Sequence, residues 1–259
     1  MTSYTPIAGV MRMERVAVVA HRGASRVAPE NTLPAFQVAV QWGVDMVEFD
    51  YLHTADQVPV AFHDEDLDRL TDARARWGGE KIPLATKTLA ELKTLDAGSW
   101  LGPQFAGTRI PTLEEALDAI LAGSLPLIER KAGDAATFVD LVNRRHCVAS
   151  VAVMAFDWDY LRECRRLSPT LVLGALGEHD ISAAQLDEMQ SFGAAFAGWN
   201  NKHLTKAHVD ALHERGLRAS VWTVDDPGRA KELVSFGVDM ITSNVPDVIK
   251  AAIAGLRKG

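Results

Sequence analysis

Eight times along this chain a short apolar run of strand type gives way to an amphipathic stretch of helical period, and no other feature restricts the fold as much. The runs begin near positions 16, 45, 125, 151, 170, 195, 218 and 238. Helices are expected over 29–42, 110–121, 134–145, 158–167, 181–191, 205–215, 227–236 and 245–256. Their ends carry local signals: Asn31 or Thr32 near an N-cap, Gly43 as a stop, and Thr112 with Glu115 as a capping box. Eight β/α units in about 250 residues is the expectation for a TIM (β/α)8 barrel. A doubly wound open sheet fits less well, since neither a Gly-x-Gly-x-x-Gly nor a Gly-x-x-x-x-Gly-Lys loop is present.

The second unit departs from the pattern. Val44 to Asp64 reads as a strand (45–54), a short turn and a returning strand (58–63). The gap is too short for a helical crossover, so the two run antiparallel. Folding about residue 56 pairs position 50 with position 62 and sets His63 beside Asp50. Glu48 and Asp50 share a face, because side chains alternate along a strand. From Glu65 to Thr108 the pattern breaks around Trp77, Pro83, Trp100 and Phe105, with one short helix at 88–95. This excursion of 65–108 is expected to be a small capping insertion whose aromatics wall the site or form a mini-core of their own.

With 259 residues, 47% of them hydrophobic, the chain can build one large core. Residues 15–259 are expected as a single domain after a loose leader, 1–14. A net charge of −7 and a pI near 5.6 argue against nucleic acid or an anionic membrane as partner. A small phosphate ester remains open to it if a metal and a few local cations supply positive charge. Cys147 and Cys164 read as ordinary thiols. No signal peptide and no run of about 18 apolar residues is found, so a soluble, cytoplasmic protein is the default expectation.

In a barrel, chemistry gathers at the C-terminal strand ends. Those ends carry His21, Arg22, Glu48, Asp50, Glu129, Lys131, Trp222 to Asp225 and Thr242 to Asn244, and His63 returns to the same rim. Glu48, Asp50 and Glu129 would suit a hard divalent cation such as Mg²⁺ or Ca²⁺. His21 and His63 can divide the proton work, and Arg22 and Lys131 can neutralise anionic oxygens. Plainer readings exist: Lys131 pairing with Glu129 or Glu48, and Trp222 packing in the core. His53, His146, His179, His203, His208 and His213 are expected on the surface.

Taken together, Ala20-His-Arg-Gly-Ala24, Pro29-Glu-Asn-Thr32, Val47-Glu-Phe-Asp50, Phe62-His-Asp64 and Ile128-Glu-Arg-Lys131 resemble the glycerophosphodiester phosphodiesterase family. Ile110-Pro-Thr-Leu-Glu-Glu-Ala-Leu117 and Val221-Trp-Thr-Val224 add to the likeness. The resemblance implies a TIM barrel, a divalent metal (Mg²⁺ or Ca²⁺, with Mn²⁺ also suitable) and hydrolysis of glycerophosphodiesters to sn-glycerol 3-phosphate and an alcohol. It also implies His21 and His63 as the acid–base pair and Glu48, Asp50 and Glu129 as metal ligands. Arg22 and Lys131 would contact phosphate, and Trp222 would line the substrate pocket. Rival readings are a related lyase releasing a cyclic phosphate and a non-catalytic phosphodiester-binding barrel. Arg130 stands where an apolar residue is usual, and Thr242-Ser-Asn244 replaces the more usual Thr-Asp.

Overall fold

The computed structural model describes residues 6–259. Its strands are β1 (Ala17–Ala20), β2 (Met46–His53), β3 (Pro59–Ala61), β4 (Leu125–Arg130), β5 (Ala152–Ala155), β6 (Val172–Gly177), β7 (Phe196–Asn200), β8 (Arg218–Trp222) and β9 (Met240–Ser243). All but β3 pair in parallel, and β9 closes the ring onto β1, so the protein is a TIM barrel. β3 lies outside the ring, antiparallel to β2, with Tyr51 opposite Ala61 and His53 opposite Pro59. Phe62 N–H donates to the Asp50 carbonyl at 3.1 Å, which continues the pairing expected from a fold about residue 56.

Strand parity sorts the side chains into two cores. Ala17, Val19, Met46, Leu125, Leu127, Ala152 and Phe196 fill the barrel. Val18, Ala20, Val47, Phe49, Tyr51 and Ile128 face outward and pack with helix residues such as Phe36, Leu117 and Phe138. On β2 the inward series continues from Met46 to Glu48 and Asp50, and on β4 from Leu127 to Glu129. The helix Leu113–Leu121 carries the expected capping box between Thr112 and Glu115. The helix Leu33–Gln41 has Thr32, one of the two expected residues, at its N-cap, while Asn31 takes a left-handed conformation (φ 56°) and is used elsewhere.

Three expectations are corrected here. Residues 1–5 of the expected loose leader lie outside the described residues. Ala8–Met11, however, forms a helical turn, and Ile7 and Val10 are buried in the interior cluster with Met46, Phe196 and Met240. They cover the apolar ends of the strands, which would otherwise face water. His53 is not on the surface: only 5% exposed, it lies against Gly133, where an added Cβ would meet the imidazole at 2.4 Å. Gly133 also has φ 106°, so glycine is required there on two grounds. Finally, segment 65–108 has a core of Leu67, Leu70, Leu84, Leu92 and Leu95 against Leu52 and Phe62. Trp77 and Trp100 take no part in it and are exposed. Among the described residues, no helix is long and apolar enough to cross a membrane.

Candidate active site

Asp50 and Glu129 are direct neighbours across the β2–β4 pairing, and Glu48 lies two residues before Asp50 on the same face. One oxygen from each of the three carboxylates lies within 4.8 Å of the others. All three side chains are buried. Asn31 fixes Asp50 from both ends: its Nδ2 donates to Oδ2 at 2.9 Å, and its Oδ1 accepts the Asp50 N–H at 3.1 Å. Burial, then the charge of Asp50, then that of Glu129, holds the Glu48 carboxyl well above the usual range. Burial and Asp50 push Glu129 up to about 7, against the pull of Lys131. Glu48 Oε1 and Asp50 Oδ1 are buried without a hydrogen-bond partner. Crowded, orphaned oxygen donors of this kind fit a hard divalent cation, and softer metals far less.

The cations of the site are already engaged. Lys131 Nζ donates to Glu129 and lies 3.4 Å from Asp50 Oδ1. Arg22 donates its N–H to Glu48 at 2.9 Å and its Nη1 to Glu30 at 2.9 Å, with Nε 3.3 Å from Asp50. Both cations are thus paired with carboxylates, and Glu30 is shared with Arg69, so little free positive charge is left for a phosphodiester anion. The turn that delivers Arg22 depends on Gly23: φ is 80°, and a Cβ would lie 2.7 Å from the Ala35 backbone.

His21 leaves β1 and His63 leaves β3, flanking β2. His21 Nδ1 contacts Asn244 Oδ1 at 2.6 Å. The Asn244 amide cannot turn round, because its Nδ2 donates to Asp225 at 2.7 Å and its backbone N–H to the same carboxylate at 2.8 Å. His21 must therefore donate from Nδ1, which leaves a lone pair on Nε2. Burial, then the charge of Arg22, lowers the His21 pKa. His63 Nδ1 lies 2.7 Å from Asp64, itself held by Arg69 at 2.7 Å. Although burial opposes it, hydrogen bonds from Arg69 and His63 bring the Asp64 carboxyl down to about 2.

One cavity of about 200 Å³ is lined by His21, Arg22, Glu48, His63, Glu129, Lys131 and Trp222, while Asp50 is buried and not part of its lining. A larger groove of about 630 Å³, outside the barrel between β3 and the helix Ala135–Arg144, holds none of these residues. The model of the glycerophosphoryl diester phosphodiesterase family matches residues 21–248. The chain belongs to that family. It is 33% identical over 240 residues to YhdW of Bacillus subtilis, covering 90% of this chain and 96% of that one. The glycerophosphodiester phosphodiesterase of Caldanaerobacter subterraneus is 30% identical over 254 residues, 95% of this chain and 99% of its own. A phosphodiesterase of Oleispira antarctica, solved in complex with the product sn-glycerol-3-phosphate, superposes with a TM-score of 0.83 at 29% identity, covering 92% and 96% of the two chains.

As a member of this family the chain is an enzyme of the phosphodiesterase type. Sequence reasoning nominated the charged groups of this phosphodiesterase pocket apart from Glu178, but missed the residues that hold them. Asn31 and Glu30 sit in the Pro-Glu-Asn-Thr string, and Asp64 in Phe-His-Asp, so a signal for them existed. Asp225 and Asn244 were marked only as rim positions. Phe156 and Glu178, which also line the cavity, had no local signal. The unusual Arg130 points away, pairing with Asp157 at 2.9 Å and covering the ring of Tyr160.

Proposed function

We propose that this enzyme hydrolyses glycerophosphodiesters to sn-glycerol 3-phosphate and an alcohol, with His21 and His63 as the proton-transfer pair. The observation that carries this reading is the matched anchoring of the two imidazoles. Each has its Nδ1 held by an oxygen, Asn244 for His21 and Asp64 for His63, and each side chain lines the same cavity. His21, kept neutral by burial and Arg22, takes a proton at Nε2 from the attacking oxygen. His63, backed by a carboxylate, gives one to the leaving alcohol. Arg22 and Lys131 meet the phosphoryl oxygens, and Trp222 bounds the substrate pocket.

Glu48, Asp50 and Glu129 would hold a divalent ion, Mg²⁺ or Ca²⁺ with Mn²⁺ as a substitute. Such an ion, when bound, supplies charge stabilisation at a phosphoryl oxygen. We further assign residues 15–259 to one catalytic domain, with Ile7 and Val10 packed into its interior cluster and about 65–108 as its small insertion. Its substrate is a small molecule rather than a nucleic acid.

The test is turnover of a panel of glycerophosphodiesters, with the products followed by phosphorus NMR. Release of sn-glycerol 3-phosphate is expected, and a cyclic phosphate as end product would move the enzyme to the lyases. His21→Ala and His63→Ala should each lower kcat by about 10²–10⁴. Near-native kcat in either variant would remove that residue from proton transfer.

A further inference from the structure

Behind His63 a chain of contacts leads out of the cavity and into the insertion. Asp64 Oδ1 lies 2.7 Å from His63 Nδ1. With its carboxyl held at about 2, against burial and by the bonds from Arg69 and His63, Asp64 is a carboxylate at neutral pH and can only accept. His63 therefore donates from Nδ1, and Nε2 is left for proton exchange in the cavity that the ring lines. Asp64 is itself partly exposed and would be free to turn. Arg69 removes that freedom: Nε donates to Oδ2 at 2.7 Å and Nη2 to Oδ1 at 3.0 Å, which fixes the plane of the carboxylate. The same guanidinium grips Glu30, Nη2 to Oε1 at 2.8 Å and Nη1 to Oε2 at 3.2 Å. Half-exposed and absent from the cavity lining, Arg69 has the look of an ordinary surface ion pair of little consequence. Two observations set it apart. Its four bonds to two carboxylates use the planar fork of a guanidinium, a fit that a lysine ammonium does not reproduce. Its neighbours Leu67 and Leu70 are buried in the core of the insertion, which makes that core a rigid mount for the group.

Resting on the hydrolase reading above, we propose that Arg69 is a positioning residue, which acts through Asp64 to hold His63 in line with the leaving alcohol. As the P–O bond to that alcohol breaks, the proton on His63 Nε2 passes to the departing oxygen. A p-nitrophenolate leaves as a stable anion and needs no such proton, so the two kinds of ester separate proton delivery from every other role. The probes are glycerophosphoethanolamine, glycerophosphoglycerol and the p-nitrophenyl ester of glycerol 3-phosphate, each measured as a single-turnover rate with the metal-loaded enzyme. Arg69→Ala should slow the two alkyl esters by about 10–100-fold, the cost of a misplaced proton donor, and the nitrophenyl ester by less than about threefold. Arg69→Lys keeps the charge beside both carboxylates, and with it the fold, but loses the fork. It should still slow the alkyl esters at least about threefold more than the nitrophenyl ester. Asp64→Ala should give the same selective loss, and adding Arg69→Ala to it should lower the alkyl rate little further, because the two act along one path. Equal losses on both kinds of ester in Arg69→Lys overturn the proposal, as does a double variant whose losses multiply. A wild type that turns over none of the three esters overturns the hydrolase reading and the positioning role with it.

Discussion

Single side chains decide the chemistry through what holds them. Asn244 cannot exchange protons usefully itself, yet its fixed amide sets which nitrogen of His21 is free. Asn244→Ala should therefore lower kcat by about 10–100-fold, the usual cost of losing an orienting partner, with KM little changed. Steady-state kinetics checks this, and a loss appearing only in KM would show that Asn244 binds substrate instead. The carboxylate trio gives a second outcome. EDTA should abolish turnover, and Mg²⁺, Ca²⁺ or Mn²⁺ should restore it. Independently of activity, saturating metal should raise Tm by about 5–10 °C, because a ligand at 100 times its Kd adds about 2.7 kcal/mol to a domain this size. An unmoved melting curve would count against the metal site.

At the scale of elements, the hairpin and the insertion divide the work. β3 brings His63 back to the rim, and the insertion supplies Arg69, which ties Asp64 and Glu30 together from outside. The expectation that insertion aromatics wall the pocket is not met: no residue of 65–108 lines the cavity. Trp77 instead lies under Lys87, and Trp100 donates its indole N–H to Ala97 within the segment. Trp100→Ala should accordingly leave the ranking of substrates as it is in the wild type. A changed ranking in a substrate panel would return the insertion to the role of selector.

The whole molecule is held at the opposite face by a buried clamp. Asp239, 4% exposed ahead of β9, accepts from Lys258 and the Ala219 N–H at 2.8 Å, and its carboxylate meets His213 at 2.9 Å and Arg218 at 3.2 Å. Burial opposes ionisation, but Lys258, Ala219 and His213 outweigh it and depress the Asp239 pKa. A depressed carboxyl contributes stability that is present above its unfolded value, near 3.9, and is lost as pH falls through the folded one. Asp239→Asn should cost about 3 kcal/mol at pH 7, the lower end for breaking a buried pair, since Arg218 and His213 can reach water. Thermal melts should show the deficit shrinking below about pH 4. A deficit independent of pH would mean the loss is one of packing.

The alternation of apolar runs determined the eight-stranded barrel, and the period of two along β2 and β4 determined that Glu48, Asp50 and Glu129 share its interior. Both are local rules of backbone geometry, legible without a partner. The hairpin register was equally legible, because a turn of a few residues leaves little freedom in pairing. What the sequence could not settle depends on residues far apart in the chain. That Asn31 grips Asp50, that Asn244 fixes His21 across 223 positions, and that Phe156 meets Trp222 follow only from closure of the ring. His53 illustrates the limit: nothing in its neighbours marks it as buried, and the loop after β4, at Gly133, lies against it. Local periodicity chooses the elements, whereas packing between their ends chooses the partners of each functional side chain.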